Sequence, residues 1–284
     1  MAKRFDKTYK IISNKEICAG YFELKVKAGV QVIKACNPGQ FFMISVPGVF
    51  LRRPISVHDA KNGVISFLYK IVGKGTKNLS QLQSGEISML GPLGNGYPFL
   101  PSPLAGEGGT KSRVRGCFYP IIIAGGTGIA SVHFLAVKLK NKGTLYYGAK
   151  TKKDLLCLDK FKKAGWKTIV STEDGSQGHK GLITNILKEK ITNYELRITN
   201  NKSVIARSRC DAAIQNMLYV CGPTPMMKAV FKIAKEKNIS GYASLEEKMA
   251  CGIGNCQGCA VKVSGKTKMT CKDGPVFAIE EIEI

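Results

Sequence analysis

Four cysteines near the end of the chain are spaced as the ligands of a metal centre. Cys251, Cys256 and Cys259 form a Cys-x4-Cys-x2-Cys pattern, and eleven residues separate Cys259 from Cys271. A zinc site usually shows two Cys-x2-Cys pairs, whereas this pattern with a distant fourth cysteine is typical of a plant-type [2Fe–2S] loop. The glycines between the cysteines would let the backbone wrap tightly and direct N–H groups at the sulfurs. The spacing therefore predicts a [2Fe–2S] cluster, with structural zinc as the alternative.

A second group of residues, at the end of a predicted strand, has the chemistry to bind a phosphorylated cofactor. It consists of Arg53, Pro54, Ile55 and Ser56. Arginine offers a forked cationic donor for a pyrophosphate, and the serine two residues beyond the rigid Pro–Ile pair suits the edge of a flavin. The run from Gly73 to Thr76 adds backbone and hydroxyl donors for a second phosphate oxygen.

Two further motifs lie where predicted strands end. The glycine turn Gly125, Gly126, Thr127, Gly128 stands between a strand and a helix, where the backbone can approach a pyrophosphate. A Rossmann fingerprint would require glycine at position 131, which is Ser131 here. The motif at the second strand end is Cys221, Gly222 and Pro223. Ligands of open α/β sheets bind at the carboxyl ends of the strands, which predicts a nicotinamide pocket at this edge. Cys221 is either a residue of that pocket or an ordinary core cysteine.

The elements that must position these motifs fall into three groups. Residues 1–99 contain short alternating strands without intervening helices, which favours an antiparallel barrel or sandwich. In residues 100–240 strands alternate with helices, which indicates a doubly wound parallel sheet. Residues 241–284 form a small loop-rich module that carries the cysteines. Two segments, 101–117 and 190–216, fit no element and are interpreted as loop insertions without a catalytic role.

The pattern also predicts individual elements in the second group. Strands are expected at 120–126, 143–150, 166–173 and 218–222, and helices at 129–141, 153–164, 181–190 and 225–238.

The composition limits the class of protein. The chain has 43 Lys and Arg against 20 Asp and Glu, a formal net charge of +23. The excess is spread as single lysines, so we expect a solvated basic surface that attracts anionic cofactors rather than a nucleic-acid groove. A zinc-bearing, nucleic-acid-binding module is the alternative from another class. The charged start MAKRFDKTYK is unlike a secretory signal, and we expect a soluble, cytoplasmic protein without a membrane span.

The order of the motifs resembles that of the electron-transfer subunits of NAD-dependent (class 1B) dihydroorotate dehydrogenases, within the ferredoxin–NADP reductase superfamily. The matching stretches are RRPISV (52–57), YKIVGKGT (69–76), GPLGNGYPF (91–99), GGTGIA (125–130), EDGSQGHKG (173–181), YVCGPTPMMKAV (219–230), SLEEKMACGIGNCQGCAVKV (244–263) and CKDGPVF (271–277). They cover nearly the whole chain apart from the two presumed insertions.

The resemblance implies an FAD-binding barrel, an NAD-binding domain and a [2Fe–2S] module. It implies that the cluster ligands are Cys251, Cys256, Cys259 and Cys271. It implies FAD contacts at Arg53, Pro54, Ile55, Ser56, Tyr69, Lys70, Ile71, Gly75 and Thr76. The family's glycine turn is usually followed by proline, and Ser131 departs from that pattern.

The resemblance also implies a role and a partner. The expected route runs from dihydroorotate through the FMN of a catalytic subunit, then through [2Fe–2S] and FAD of this chain to NAD+. The complex would contain two copies of each subunit. Within the same architecture, related subunits serve ferredoxin:NAD(P) oxidoreductases, sulfide dehydrogenases and hydrogenases. A preference for NADP stays open because Lys150, Lys152 and Lys153 follow a strand.

Overall fold

The computed structural model describes residues 4–98, 118–200 and 215–284, and only the backbone of residues 192–200 and 215. The predicted insertion 101–117 lies outside the described residues, as do residues 201–214 of the second one.

The first part of the chain is a closed antiparallel barrel of six strands in the order β1-β2-β5-β4-β3-β6. The strands are β1 (Phe5–Cys18), β2 (Tyr21–Lys27), β3 (Phe41–Ile44), β4 (Arg53–Lys61), β5 (Val64–Lys70) and β6 (Glu86–Leu93). Two short helices, α1 (Val30–Ala35) and α2 (Lys74–Ser80), lie between strands. Apolar side chains such as Leu24, Val26 and Phe67 fill the interior and are fully buried. The antiparallel barrel predicted from strand alternation is confirmed.

The second part is a seven-stranded sheet in the order β10-β9-β8-β7-β11-β12-β15, in which all pairs are parallel except that of β12 with β15. Its strands are β7 (Phe118–Gly125), β8 (Thr144–Ala149), β9 (Lys167–Thr172), β10 (His179–Lys180), β11 (Gln215–Cys221), β12 (Gly241–Ser244) and β15 (Val276–Ala278). The predicted doubly wound parallel sheet is confirmed. Its central strand β7 is buried on both faces, which explains its unbroken isoleucine run.

The point where the strand order reverses lies between β7 and β11. On one side of β7 the strands follow in chain order from β8 to β10, and on its other side β7 pairs with β11. In that pairing Cys221 lies opposite Ala124. Ligands of open α/β sheets bind outside the carboxyl ends of the strands at such a point. Both the glycine turn after β7 and the Cys221 motif after β11 therefore lie at the expected binding edge.

Four helices cover the faces of this sheet: α3 (Ile129–Lys138), α4 (Leu158–Lys163), α5 (Ile183–Asn200) and α6 (Thr224–Glu236). The helix predicted over 153–164 is wrong in its first half, where a 3-10 turn at Lys152–Asp154 precedes the shorter α4. Cys157 separates them because its φ of 58° is left-handed and ends any continuous helix. In the described part of the chain, no helix is long and apolar enough to cross a membrane.

The helix α5 continues beyond its predicted end into the segment 190–216. Its backbone is helical to Asn200, and β11 begins at Gln215, so both ends of this segment belong to regular elements. The interpretation of the segment as a loop therefore does not hold for residues 190–200, because α5 propagates through them.

The cysteine-bearing part of the chain is joined to the other two. The strands β12 and β15 belong to the central sheet, and a hairpin of β13 (Ala260–Val263) and β14 (Lys266–Met269) lies between them. Cys259 and Cys271 pack in one apolar cluster with Phe41, Met43 and Leu93 of the barrel. The division at 1–99, 100–240 and 241–284 stays a prediction, and the sheet pairing ties its third unit to its second.

Candidate functional site

A cavity of about 400 Å³ lies between the barrel and the carboxyl edge of the sheet. It is bordered by β4 and β5 on the barrel side and by the Gly128 turn and Cys221 on the sheet side. The end of β12 at Ser244 and the residues that follow it, as far as Met249, close a third side. The cavity thus joins three regions of sequence that are remote from one another.

Many of the residues singled out from the sequence line this cavity. Those that do are Arg53, Pro54, Ile55, Ser56, Tyr69, Lys70, Thr76, Gly128 and Cys221. Those outside its lining are Ile71, Gly75, Gly125, Gly126, Gly222 and Pro223.

Arg53 is placed to receive an anion. In the described parts of the chain no carboxylate lies within ion-pair distance of its guanidinium, whose Nη1 donates to the Leu51 carbonyl at 2.6 Å. A Cβ on Gly75 would overlap the Arg53 guanidinium, so glycine at this position lets the arginine lie against the backbone of the first turn of α2. A cationic fork without an acidic partner beside a cavity suits the pyrophosphate of a dinucleotide.

Tyr69 and Lys70 take part in different ways. The Tyr69 hydroxyl donates to Asn14 at 3.0 Å and its ring stacks on Phe22, so its side chain is engaged within the barrel. The Lys70 ammonium bonds the Tyr21 hydroxyl at 2.9 Å and lies 3.4 Å from the Asp154 carboxylate, which offsets its charge. Arg53, which has no such partner among the described residues, is therefore freer than Lys70 to bind phosphate.

The glycine turn and the end of β11 are in direct contact. A Cβ on Gly128 would overlap the carbonyl of Cys221, so only glycine allows α3 to begin this close to β11. Cys221 itself is 2% exposed, and burial raises the pKa of its thiol to about 12. The Cys221 side chain is therefore neutral at pH 7 and acts as a compact wall rather than as a nucleophile.

Gly128→Ala is expected to destabilise the chain by about 1–3 kcal/mol, because the added methyl must displace main chain rather than a flexible side chain. Urea unfolding of the purified protein measures this. Gly29→Ala is the matched control, since a Cβ there meets nothing within 4 Å. Equal stability of the two variants would contradict the close approach of α3 to β11.

The cysteine loop directs backbone donors at sulfur. The Cys251 Sγ accepts N–H groups from Ile253 at 3.4 Å and Cys256 at 3.5 Å, and the Cys259 Sγ accepts the N–H of Cys271 at 3.4 Å. The four cysteines thus lie as two hydrogen-bonded pairs, and a [2Fe–2S] centre binds two ligands at each iron. Among the described residues, no three His, Cys, Asp or Glu side chains meet as ligands of a single metal ion.

At Cys251 these donors favour the ionised thiol that a metal requires. Burial opposes ionisation of Cys251, but N–H groups of Cys256 and Ile253 outweigh it and lower the pKa of its thiol to about 6. Cys256 is exposed, whereas Cys259 and Cys271 are buried. The donor set therefore fits an iron–sulfur cluster with one edge at the surface.

The cavity and the cysteine loop share a wall. Phe41 and Met249 line the cavity, and both also belong to the apolar cluster that contains Cys259 and Cys271. Phe41 and Met249 thus link the lining of the cavity to the apolar cluster that holds the buried pair of thiols. A cofactor in the cavity and a cluster on the loop would be neighbours.

Comparison with known proteins identifies the family. The chain is 38% identical over 279 residues to the electron transfer subunit of dihydroorotate dehydrogenase B (NAD(+)) from Caldanaerobacter subterraneus subsp. tengcongensis, which covers 96% of each chain. It is 37% identical over 277 residues to the subunit of the same name from Clostridium acetobutylicum, covering 96% of this chain and 95% of the relative. The chain belongs to the family of dihydroorotate dehydrogenase B electron transfer subunits. The resemblance seen in the motifs is confirmed.

Two family models match parts of this subunit. Residues 246–283 match the iron–sulfur cluster binding domain of dihydroorotate dehydrogenase B, and residues 122–232 match the oxidoreductase NAD-binding domain. All four cysteines of the loop lie in the first match, which favours iron–sulfur over zinc. The glycine turn and Cys221 lie in the second.

Solved structures agree on the fold of the subunit. A chain of the NADH-dependent reduced ferredoxin–NADP oxidoreductase has a TM-score of 0.75 and 29% identity, covering 97% of this chain and 89% of that one. A ferredoxin–NADP+ reductase from Neisseria gonorrhoeae has a TM-score of 0.60 at 15% identity, covering 83% and 92%. The second likeness shows that the barrel and sheet have the ferredoxin–NADP reductase fold.

Some residues of the site were not found from the sequence. Phe41, Ser244, Glu246 and Met249 line the cavity of this electron transfer subunit, yet none was singled out. The available signal was the stretch SLEEKM beside the cysteine loop, which contains Ser244, Glu246 and Met249. No local pattern marks Phe41, because its place between cavity and cysteines depends on how the barrel packs.

Proposed function

We propose that this chain carries electrons from a catalytic, FMN-containing subunit that oxidises dihydroorotate, by way of its [2Fe–2S] cluster and FAD, to NAD+. The observation that carries the proposal is the wall shared by the cavity and the cysteine loop. Membership of the electron transfer family supports it. The bound FAD would supply the exchange between the single electrons of the cluster and the hydride of nicotinamide.

The residues of the cavity have distinct tasks in this proposal. Arg53 binds the pyrophosphate, and the first residues of β4, as far as Ser56, hold the flavin edge. Gly128 and Cys221 border the side of the cavity at which the dinucleotide would enter. Because Cys221 is neutral and buried, it excludes water without competing for a proton.

The cysteine loop has the complementary task. Cys251, Cys256, Cys259 and Cys271 hold the cluster, and their backbone donors stabilise its negative charge. The exposed Cys256 marks the edge that faces the catalytic partner. Electrons then enter at the surface and leave toward the shared wall.

The assembly we propose contains two copies of this chain and two of the catalytic subunit, without nucleic acid. We place it in the cytoplasm, since the eight cysteines of the described residues are all unpaired and a reducing compartment preserves such thiols.

A second candidate function is that of the reductase subunit of a ferredoxin:NAD(P) oxidoreductase. The 29% identity and TM-score of 0.75 with a chain of the NADH-dependent reduced ferredoxin–NADP oxidoreductase favour it. Against it stand the higher identities, 38% and 37%, to the electron transfer subunits of dihydroorotate dehydrogenase B. Sulfide dehydrogenase and hydrogenase subunits remain further members of the same class.

Reconstitution with the FMN-containing partner tests the proposal. Dihydroorotate is expected to reduce NAD+ only when both subunits are present, and NADH rather than NADPH should reduce the flavin of this chain. The partner alone, assayed with an artificial acceptor, is the control. Reduction by ferredoxin with no coupling to dihydroorotate would favour the second candidate, and a strong preference for NADPH would overturn the choice of nucleotide.

A further inference from the structure

Two buried histidines join the barrel to the sheet domain. His58 belongs to β4 and His133 to α3, and they are 1% and 5% exposed. Their rings stack with centroids 4.3 Å apart and an angle of 23° between planes. Neither residue has a part in the function proposed above, and their sequence positions show no metal spacing.

The two histidines make reciprocal hydrogen bonds across the domain boundary. The Nδ1 of His58 lies 3.1 Å from the Ala130 carbonyl in α3, and the Nδ1 of His133 lies 3.1 Å from the His58 carbonyl in β4. Because a carbonyl only accepts, each Nδ1 must carry a hydrogen. Burial lowers the pKa of both imidazoles, so both rings are neutral and protonated at Nδ1.

A second contact with the sheet domain lies on the other side of the His58 ring. With Nδ1 protonated, Nε2 is an acceptor, and the Lys160 ammonium lies 3.3 Å from it. Lys160 belongs to α4 and also forms an ion pair at 2.9 Å with Glu23 of the barrel strand β2. Residues of the sheet domain thus contact both ring nitrogens of His58.

A β-bulge aims His58 at the sheet domain. In the pairing of β4 with β5, Val57 is opposite Phe67 and Asp59 is opposite Ser66, which leaves His58 as the extra residue. Val57 and Ala60 both pack in the barrel core, although simple alternation would place them on opposite faces. Bulges redirect side chains and are frequent beside active sites.

The joint lies directly beside the cavity. His58 follows Ser56 by two residues on the strand that would hold the flavin, and Ala130 and Ser131 of α3 line the same cavity. The hydrogen bonds therefore connect the flavin side of the site to the dinucleotide side over a few residues. A displacement of about 1 Å between reacting groups can cost about a hundredfold in rate, so a rigid joint at this place matters.

We infer that His58 is a positioning residue that fixes β4 against α3 and so sets the approach of nicotinamide to the flavin. This inference rests on the proposed function. The reciprocal hydrogen bonds connect the flavin side of the site to the dinucleotide side, so we expect them to affect the rate of hydride transfer. Neither histidine lines the cavity itself.

Two amide variants separate this role from simple packing. Asparagine can donate from the place of Nδ1, whereas glutamine reaches the place of Nε2, so His58→Asn keeps the bond to Ala130 and His58→Gln loses it. In stopped-flow reduction of the FAD- and cluster-loaded chain at saturating NADH, we expect His58→Gln to be about tenfold slower and His58→Asn to stay within about threefold of wild type. FAD content and the Kd for NADH should change less than about twofold, as for a positioning role.

Phe161→Leu is the packing control, since Phe161 meets the His133 ring edge-on at 5.5 Å but takes no part in the hydrogen bonds. Its rate of flavin reduction should match wild type. Equal rates for the Asn and Gln variants, or an equal loss in Phe161→Leu, would overturn the inference. A wild-type chain whose FAD is not reduced by NADH would overturn the proposed function as well.

A second readout does not depend on activity. The chain contains three histidines, so ¹⁵N NMR of the histidine-labelled holoprotein can be assigned with the His58 variants. At pH 7 we expect the Nδ1–H tautomer for His58 and His133, whose signals are told apart from that of the exposed His179. Finding His58 protonated at Nε2 would contradict its hydrogen bond to Ala130 and so overturn the inference.

Discussion

Cys256→Ser is expected to remove the iron–sulfur cluster while leaving the flavin in place. Cys256 is the exposed member of the four cysteines, so its substitution does not disturb a packed core. Loss of residues that merely support metal ligands costs about 10–100-fold in affinity or activity, and loss of a ligand itself should cost at least as much. Electron transfer from the dihydroorotate-oxidising partner to NAD+ should therefore fall about a hundredfold or more, and reduction of FAD by NADH should be partly retained.

Iron and sulfide analysis together with the EPR signal of the reduced protein measure this effect. Cys18→Ser is the matched control, because the Cys18 thiol lies outside the loop and bonds the Lys153 carbonyl at 2.8 Å, a contact that a serine hydroxyl can also make. Loss of FAD reduction with an intact cluster signal in Cys256→Ser would contradict the placement of the cluster on this loop.

Arg53→Ala is expected to weaken FAD retention by roughly 1.5–3 kcal/mol, the range of a charge-assisted hydrogen bond. This corresponds to about a ten- to hundredfold increase in Kd. The reason is that the Arg53 guanidinium borders the cavity and, in the described parts of the chain, has no carboxylate within ion-pair distance. Titration of the flavin-depleted holo-cluster protein with FAD gives the Kd directly.

Arg52→Ala provides the control for removal of a neighbouring charge. Arg52 forms an ion pair with Asp6 at 3.0 Å and bonds Ser88, and it does not line the cavity. Its FAD affinity should stay within about twofold of wild type, because exposed ion pairs contribute little. Equal losses in both variants would mean that general surface charge, rather than Arg53, retains the flavin.

Local patterns were sufficient for most of the fold. Alternating residues in β2 and the isoleucine run of β7 predicted their strands, because each pattern depends on which faces of that strand are buried. The helix over 153–164 failed because apolar spacing does not reveal the left-handed backbone of Cys157. In the same way, the polar sequence after residue 190 did not reveal that α5 continues to Asn200.

The cysteine loop was the part of the site most accessible from the sequence, since its ligands lie close together and their spacing reflects the shape of the cluster. The cavity was accessible only in pieces. Arg53 and Gly128 were each recognisable in a motif, but nothing local required them to border the same space.

The sequence by itself determined the classes of element and the chemistry of the thiol ligands, because both depend on short-range periodicity and spacing. The tertiary structure alone decided which remote residues meet: Phe41 against the cysteine pair, and His58 against His133. These contacts depend on the packing of whole elements and on a one-residue bulge in β4. A bulge shifts the facing of every later residue in a strand, and the alternation of residues along β4 did not mark its position.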